Sequence, residues 1–319
     1  MADLLVAAGV VTTRNEGNHP VHRFRIAAAI TAAAAAALIP AISAGASVSA
    51  VTARPAGPPP AGQTVTFGSA RAMPSVHLPP THLPHPMLLR DGSYTSDNWA
   101  GYVITSRGGH ILPQVNDTFI VPDVNCADSP IGSSGFADSS YWAGFDGFAD
   151  ATVEQEGVDA YCTSSTGPAT YYTWYEMYPL DPVVEGTVSP GDAVSVESSR
   201  SGANYVLSLD DRTDASGFTT TQACPSGSVC DDTQAEVITE DPGGAVPAGI
   251  DLPDFALDQQ TAISAKDYLG ATGTFANNDG GKIWLSQTIR MVDPSDLIMA
   301  APGPLYGGQA FYVTWFRGS

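Results

Sequence analysis

Past residue 90 this chain of 319 residues holds a single histidine, His110. Any Ser-His-Asp or Cys-His nucleophilic arrangement there would rest on that one residue, which sits in the loop-like Arg107-Gly108-Gly109-His110. The same region contains no Gly-x-Ser-x-Gly elbow, no His-Glu-x-x-His helix motif and none of the Asp-Thr/Ser-Gly turns that a pair of catalytic aspartates would occupy. Basic residues are scarce as well: only seven of the thirteen Lys and Arg, against thirty-one of the thirty-three Asp and Glu, follow residue 90. That segment therefore carries a formal charge of −24, which argues against nucleic acid as a partner. Also missing are any long stretch with helical periodicity and any later apolar run long enough for a transmembrane helix.

The N-terminus does contain an apolar run. His22-Arg23-Phe24-Arg25 precedes the Ala-rich stretch Ile26 to Ile42, broken by Pro40, and the small residues Val48-Ser49-Ala50 follow. This order reads as a secretory signal with an extended basic region over residues 1–50, leaving no membrane attachment once it is removed. Residues 51–90 are rich in Pro, Ala and His, a composition that cannot bury enough apolar surface to pack, so they read as a propeptide or linker. One domain is expected over residues 91–319.

All four cysteines, Cys126, Cys162, Cys224 and Cys230, lie in that domain. An even number behind a secretion signal predicts two disulfides in an extracellular protein. Cys224 and Cys230 enclose the turn-like Pro225-Ser226-Gly227-Ser228-Val229, which pairs them with each other and leaves Cys126 for Cys162. Their spacing matches no zinc pattern, and no metal or cofactor is expected. A monomer is the default for such a domain.

Short runs rich in Tyr, Val, Thr, Phe and Trp recur between Gly, Asp, Asn, Ser and Pro clusters, the mark of an all-β fold. Strands are expected at 99–105, 117–121, 140–146, 152–162, 170–178, 193–199, 205–211, 234–240, 283–290 and 311–316. So many strands in one domain suit a two-sheet antiparallel sandwich. Alternation then places Val153, Gln155, Asp159 and Tyr161 on one face, Tyr172, Trp174, Glu176 and Tyr178 on one face, and Gln234, Glu236, Ile238 and Glu240 on one face. Carboxylates mixed with aromatics in this way are either solvated or line a cleft, since an unpaired buried carboxylate is costly.

With histidine, metal and paired-aspartate chemistry excluded, carboxylate chemistry remains. An ionised carboxylate can take a proton from water and return it to a leaving amine, which suits acid conditions. A glutamine amide can stabilise the resulting oxyanion without itself titrating, and such a donor contributes about 3 kcal/mol to the barrier. A Glu and a Gln are chemically sufficient, although composition alone does not choose among them.

Five local sequences occur in one order: Ser96-Asp97-Asn98-Trp99-Ala100-Gly101-Tyr102, Trp142-Ala143-Gly144-Phe145-Asp146-Gly147, Glu154-Gln155-Glu156-Gly157-Val158-Asp159, Trp174-Tyr175-Glu176-Met177-Tyr178-Pro179 and Gln234-Ala235-Glu236-Val237-Ile238-Thr239-Glu240-Asp241. Together they resemble the glutamic peptidases (eqolisins, the scytalidoglutamic peptidase family). The resemblance implies a lectin-like (concanavalin) jelly roll with a substrate groove on the concave face, polypeptide substrates, Gln155 as the catalytic glutamine and Glu236 as the catalytic glutamate. It further implies that Asp146, Asp159 and Glu176 are cleft residues that position or tune the pair. Trp99, Trp142 and Trp174 would be cleft walls by the same comparison, while a purely structural reading makes them packing residues. Val237, Met177 and Glu156 depart from the family's usual Trp, Trp and Thr, and the two lost aromatics are expected to bear on substrate preference.

Two alternatives fit the same residues. A glycosidase would use Glu176 and Glu236 as nucleophile and acid, and a lectin-like module would bind without turnover.

Overall fold

The computed structural model describes residues 87–131, 135–243, 251–276 and 283–318; the expected signal and most of the Pro/His-rich segment lie outside them. Among the described residues there are strands and no helices. In chain order they are β1 (Met87–Leu88), β2 (Tyr94–Ser96), β3 (Trp99–Ser106), β4 (Gln114–Ile120), β5 (Ala137–Phe145) and β6 (Val153–Cys162). Next come β7 (Thr170–Tyr178), β8 (Val183–Gly186), β9 (Ala193–Ser201), β10 (Asn204–Asp211), β11 (Ser216–Ala223) and β12 (Gln234–Glu240). The last are β13 (Leu257–Lys266), β14 (Thr272–Gly273), β15 (Trp284–Val292), β16 (Ile298–Pro302) and β17 (Phe311–Trp315).

Pairing arranges these strands as a sandwich. One layer runs β15-β3-β12-β5-β6-β7-β8. The other runs β16-β17-β13-β4-β9-β10-β11. These pairings are antiparallel, and β15 also pairs with β16, so the sheet is continuous where it folds over. Between the layers, Phe119, Val194, Val196, Leu207 and Leu209 pack with Tyr141, Ala143, Phe145, Val158 and Ala160. Alternating burial in β4, β9 and β10 marks layers with one face inward. In β5, β6 and β12 every residue is buried, so their second face is covered too. That second face carries its own apolar cluster, with Trp99, Val103, Trp142, Trp174, Ile238 and Ile289 among its members.

Cys126 is bonded to Cys162 and Cys224 to Cys230, the pairs expected from the spacing. The strand expectations missed the long β11 and β13 and the short β1, β2, β8, β14 and β16. β11 is an edge strand of small polar residues with little apolar alternation to betray it. In β13 a bulge between Thr261 and Ser264, with Ala262 at φ 54°, breaks the period of two.

Several carboxylates are buried between the layers. Ser198 Oγ donates to Glu156 Oε2 at 2.6 Å. Thr239 Oγ1 and Gln260 Nε2 donate to Asp258 Oδ2 at 2.6 and 2.5 Å. Burial pushes Asp258 up to about 6 despite these donors. Burial, then the charge of Asp258, drives Asp117 well above the usual range. Burial does the same to Glu156, with Ser198 opposing it.

These shifts fix the sign of a pH effect. A carboxyl whose folded pKa exceeds its unfolded value of about 4 contributes fully at lower pH, and that stability is lost as pH rises from there toward the folded pKa. In metal-free buffer, the midpoint of thermal unfolding should therefore fall between about pH 4.5 and 7, and Glu156→Gln should flatten the slope by up to about 1.4 kcal/mol per pH unit. A wild-type midpoint that rises with pH over this range would contradict the assignment.

Candidate active site

Register across the first layer builds a row of side chains. Val103 pairs with Glu236, Glu236 with Gly144, Gly144 with Gln155 and Gln155 with Glu176. Paired residues in an antiparallel ladder share a face, so these five positions form one line over β3, β12, β5, β6 and β7. Glu236 and Gln155 stand two strands apart, about 9–10 Å between backbones. Gly144 between them contributes no side chain, and a Cβ there would come within 2.6 Å of the Glu154 carbonyl and 2.8 Å of Gln155 Cβ. The glycine therefore keeps open the space over which the carboxylate and the amide face each other.

The two members of this pair are held differently. Gln155 Nε2 donates to Glu176 Oε2 at 2.7 Å, which orients the amide and leaves its second N–H available. Gln155 Oε1 and both Glu236 oxygens are buried without a hydrogen-bond partner. Burial, followed by the charges of Asp146, Asp150 and Glu154, holds the Glu236 proton well above the usual carboxylate range. A carboxylate raised in this way is a stronger base once ionised.

Asp146 occupies a different place from the one its motif suggested. Its Oδ2 accepts the Asp232 N–H at 2.7 Å and its Oδ1 the Thr233 N–H at 3.1 Å. Asp146 adopts φ 67°, a left-handed conformation that turns the chain out of β5. Asp150 extends the clamp: its Oδ1 accepts the Gly147 N–H at 2.7 Å and its Oδ2 the Gln234 Nε2 at 3.3 Å. Asp146 thus anchors the lead-in to β12, two to four residues before Glu236, through bonds to backbone.

Farther along the face, the next row holds Ile238, Trp142, Gly157 and Trp174. Beyond it lie Trp99, Glu240, Ser140, Asp159 and Tyr172. Asp159 is four strand residues from Gln155, about 13 Å, and does not touch the pair. Trp99 packs edge-on to Trp142, with ring centroids 4.9 Å apart. Glu240, missed in the sequence reading, fixes Trp142: its Oε2 accepts the indole N–H at 2.7 Å and its Oε1 the Asn98 amide at 3.3 Å. Its position four residues past Glu236, on the same face, was the available signal.

Val237 and Met177 both belong to the inter-layer core, and Glu156 meets Ser198 there. The two lost aromatics therefore alter packing between the sheets, which corrects the expectation that they reshape the cleft. Glu176 and Glu236 stand three strands apart, about 14 Å between backbones. Glu176 is also engaged with Gln155.

Fold and row together define a β-sandwich of the glutamic peptidase kind. Scytalido-glutamic peptidase, solved with a peptide-based transition-state analogue, aligns with a TM-score of 0.54 at 22% identity, over 69% of this chain and 98% of that one. SCP-B, an eqolisin solved with the tripeptide Ala-Ile-His, aligns with a TM-score of 0.53 at 21% identity, over 69% of this chain and 98% of that one. At these identities the likeness is one of fold. No curated protein matches the chain. The Peptidase A4 family matches residues 97–289, and the chain belongs to that family of peptide hydrolases.

The Gln155–Glu176 bond generates a test. Glu176→Ala should lower kcat by about 10- to 100-fold, the worth of one hydrogen bond to a charged group, with KM changed less than about threefold. Glu176→Gln, which keeps an acceptor, should recover much of the loss. Steady-state kinetics on a peptide substrate decides it, and an Ala variant with full kcat would remove Glu176 from any orienting role.

Proposed function

We propose that the chain is a secreted endopeptidase acting in acid, with Glu236 as general base and Gln155 as oxyanion donor. The observation that carries this reading is the row itself: a buried carboxylate with no partner faces an amide already oriented by Glu176, across a glycine. Ionised Glu236 takes a proton from water as the water oxygen bonds to the peptide carbonyl carbon. The second N–H of Gln155 Nε2 stabilises the negative oxygen of the tetrahedral intermediate. The intermediate collapses with cleavage of the C–N bond, Glu236 returns the proton to the departing amine, and no covalent enzyme intermediate forms.

Endopeptidase action is favoured because the row lies in mid-sheet. Rows flank it on both sides, with Trp142 and Trp174 on one and Val153 and Tyr178 on the other. A polypeptide can therefore extend in both directions from the scissile bond. Two disulfides, the N-terminal signal pattern and the lack of any membrane-spanning helix among the described residues support secretion.

Glu236→Gln should lower kcat by about 10²–10⁴-fold and Gln155→Ala by about 10²–10³-fold on denatured casein at acid pH. Near wild-type turnover by either would sink the assignment. The pH profile gives a second check. Activity should rise with ionisation of Glu236. Because Glu236 is raised, the ascending limb should lie above the ordinary carboxylate range near 4.

Since Glu236, Gln155 and Glu176 are all buried, substrate reaches them only when this face opens. Removal of residues 51–90 as a propeptide is the step proposed to accompany activation. N-terminal sequencing of secreted protein before and after acid incubation should show cleavage near residues 70–95 together with the appearance of activity.

A further inference from the structure

Beneath the catalytic row, on the core side of the same layer, three more carboxylates converge. Glu154 points to the inter-layer side of β6, paired with Phe145 on one strand and Met177 on the other. One oxygen from each of Asp146, Glu154 and Asp232 lies within 4.8 Å of the other two, and all three residues are buried. Ligands around one Ca²⁺, at 2.3–2.6 Å from the ion, stand at most about 5 Å apart, so a single ion can reach all three.

The partners already present do not complete this cluster. Tyr205 donates to Asp232 Oδ1 at 2.5 Å, and Arg200 pairs with the same carboxylate. Asp146 accepts its two backbone N–H groups. Glu154 is wholly buried, yet neither of its oxygens accepts a hydrogen bond. The neighbouring Thr152 hydroxyl, which donates to the Val229 carbonyl at 3.4 Å, opposes only part of the burial cost at Glu154. Burial pushes Asp146 up to about 8 and Glu154 up to about 9; were all three carboxyls ionised, Arg200 alone would leave a deficit of two positive charges. Either protons or a bound cation must close that deficit, and Glu154, with no hydrogen-bond partner for either oxygen, leaves room for the cation.

We propose that Asp146, Glu154 and Asp232 bind one divalent cation that favours oxygen ligands, of the Ca²⁺ class. One such ion leaves the three carboxylates and Arg200 neutral. It would tie three pieces of chain, the exit from β5, the start of β6 and the lead-in to β12, immediately behind Gln155 and Glu236. Mg²⁺ suits the site less, because it needs a tight octahedron and retains several waters.

A second acidic group, Asp192, Asp211 and Asp214, provides an internal control. Asp211 Oδ1 is occupied by the Thr213 and Asp214 N–H groups, Asp192 Oδ2 by that of Ser189, and Asp214 is exposed.

The experiment uses the full chain, stripped with EDTA at pH 7 and titrated with CaCl₂ while heat of binding and thermal midpoint are followed. Binding should saturate at one ion per chain, and the midpoint should rise by roughly 5–10 °C at a hundredfold excess over Kd. Glu154→Gln and the apolar Glu154→Met, checked for folding by circular dichroism, should lose both signals, while Asp214→Asn should keep them. If neither Glu154 variant folds, one-to-one binding retained by Asp214→Asn still supports the site. No binding at millimolar CaCl₂ would overturn the proposal and mean that protons close the charge deficit. Binding that survives in the Glu154 variants, or that disappears in Asp214→Asn, would overturn it equally by placing the ion elsewhere.

Discussion

The register of β12 against β5 decides what this molecule can do. Glu236 faces Gln155 only because it pairs with Gly144, which in turn pairs with Gln155. A slip of one residue would turn Glu236 into the inter-layer core and bring Ala235 or Val237 to the face in its place. Hydrophobic patterning opposes that slip, since Ala235 and Val237 belong to the core and Ile238 to the aromatic cluster of the opposite face. The clamp from Asp146 and Asp150 to residues 232–234 opposes it again by fixing the chain just before the strand begins. Two independent devices thus hold one alignment.

Glycine makes that alignment usable. At Gly157 a Cβ would stand 2.3 Å from the Tyr141 carbonyl and 2.6 Å from Trp142 Cβ, and Gly157 separates Trp142 from Trp174 as Gly144 separates Glu236 from Gln155. Each of these rows therefore sets one position without a side chain between two large groups. Two large groups on strands separated by a third can then lean toward one another.

Much of this was legible from alternation alone. The period of two put Gln155, Glu176, Glu236 and Glu240 on the right faces, and it already implied that Glu156, Met177 and Val237, each adjacent to one of them, face the other way. Expecting Val237 and Met177 to bear on substrate preference overlooked that implication. What alternation does not contain is pairing between distant strands. That Glu236 lies opposite Gly144, or that Asp146 reaches the backbone of residues 232 and 233, depends on a topology in which β12 inserts between β3 and β5. The bulge in β13 hid that strand, because a local left-handed residue resets which side chains face the core.

The buried acids sort themselves by the partners they have. On the catalytic face Glu176 accepts from Gln155, and Glu240 accepts from Trp142 and Asn98. In the core Glu156 accepts from Ser198, and Asp258 accepts from Thr239 and Gln260. In each case the donor offsets part of the cost of removing a carboxyl from water. Glu236, Glu154 and Asp117 have both oxygens left over, and the first two sit on the two faces of one layer. Such a group is completed by a proton, as the rise at Asp117 indicates, or by a partner from outside the chain. For Glu236, beside an oriented amide and an open glycine, the proposed partner is the water to be activated. For Glu154, among two further carboxyls and a single arginine, the proposed partner is a cation that displaces protons, and one physical constraint thereby leads to two different chemistries on opposite sides of one strand layer.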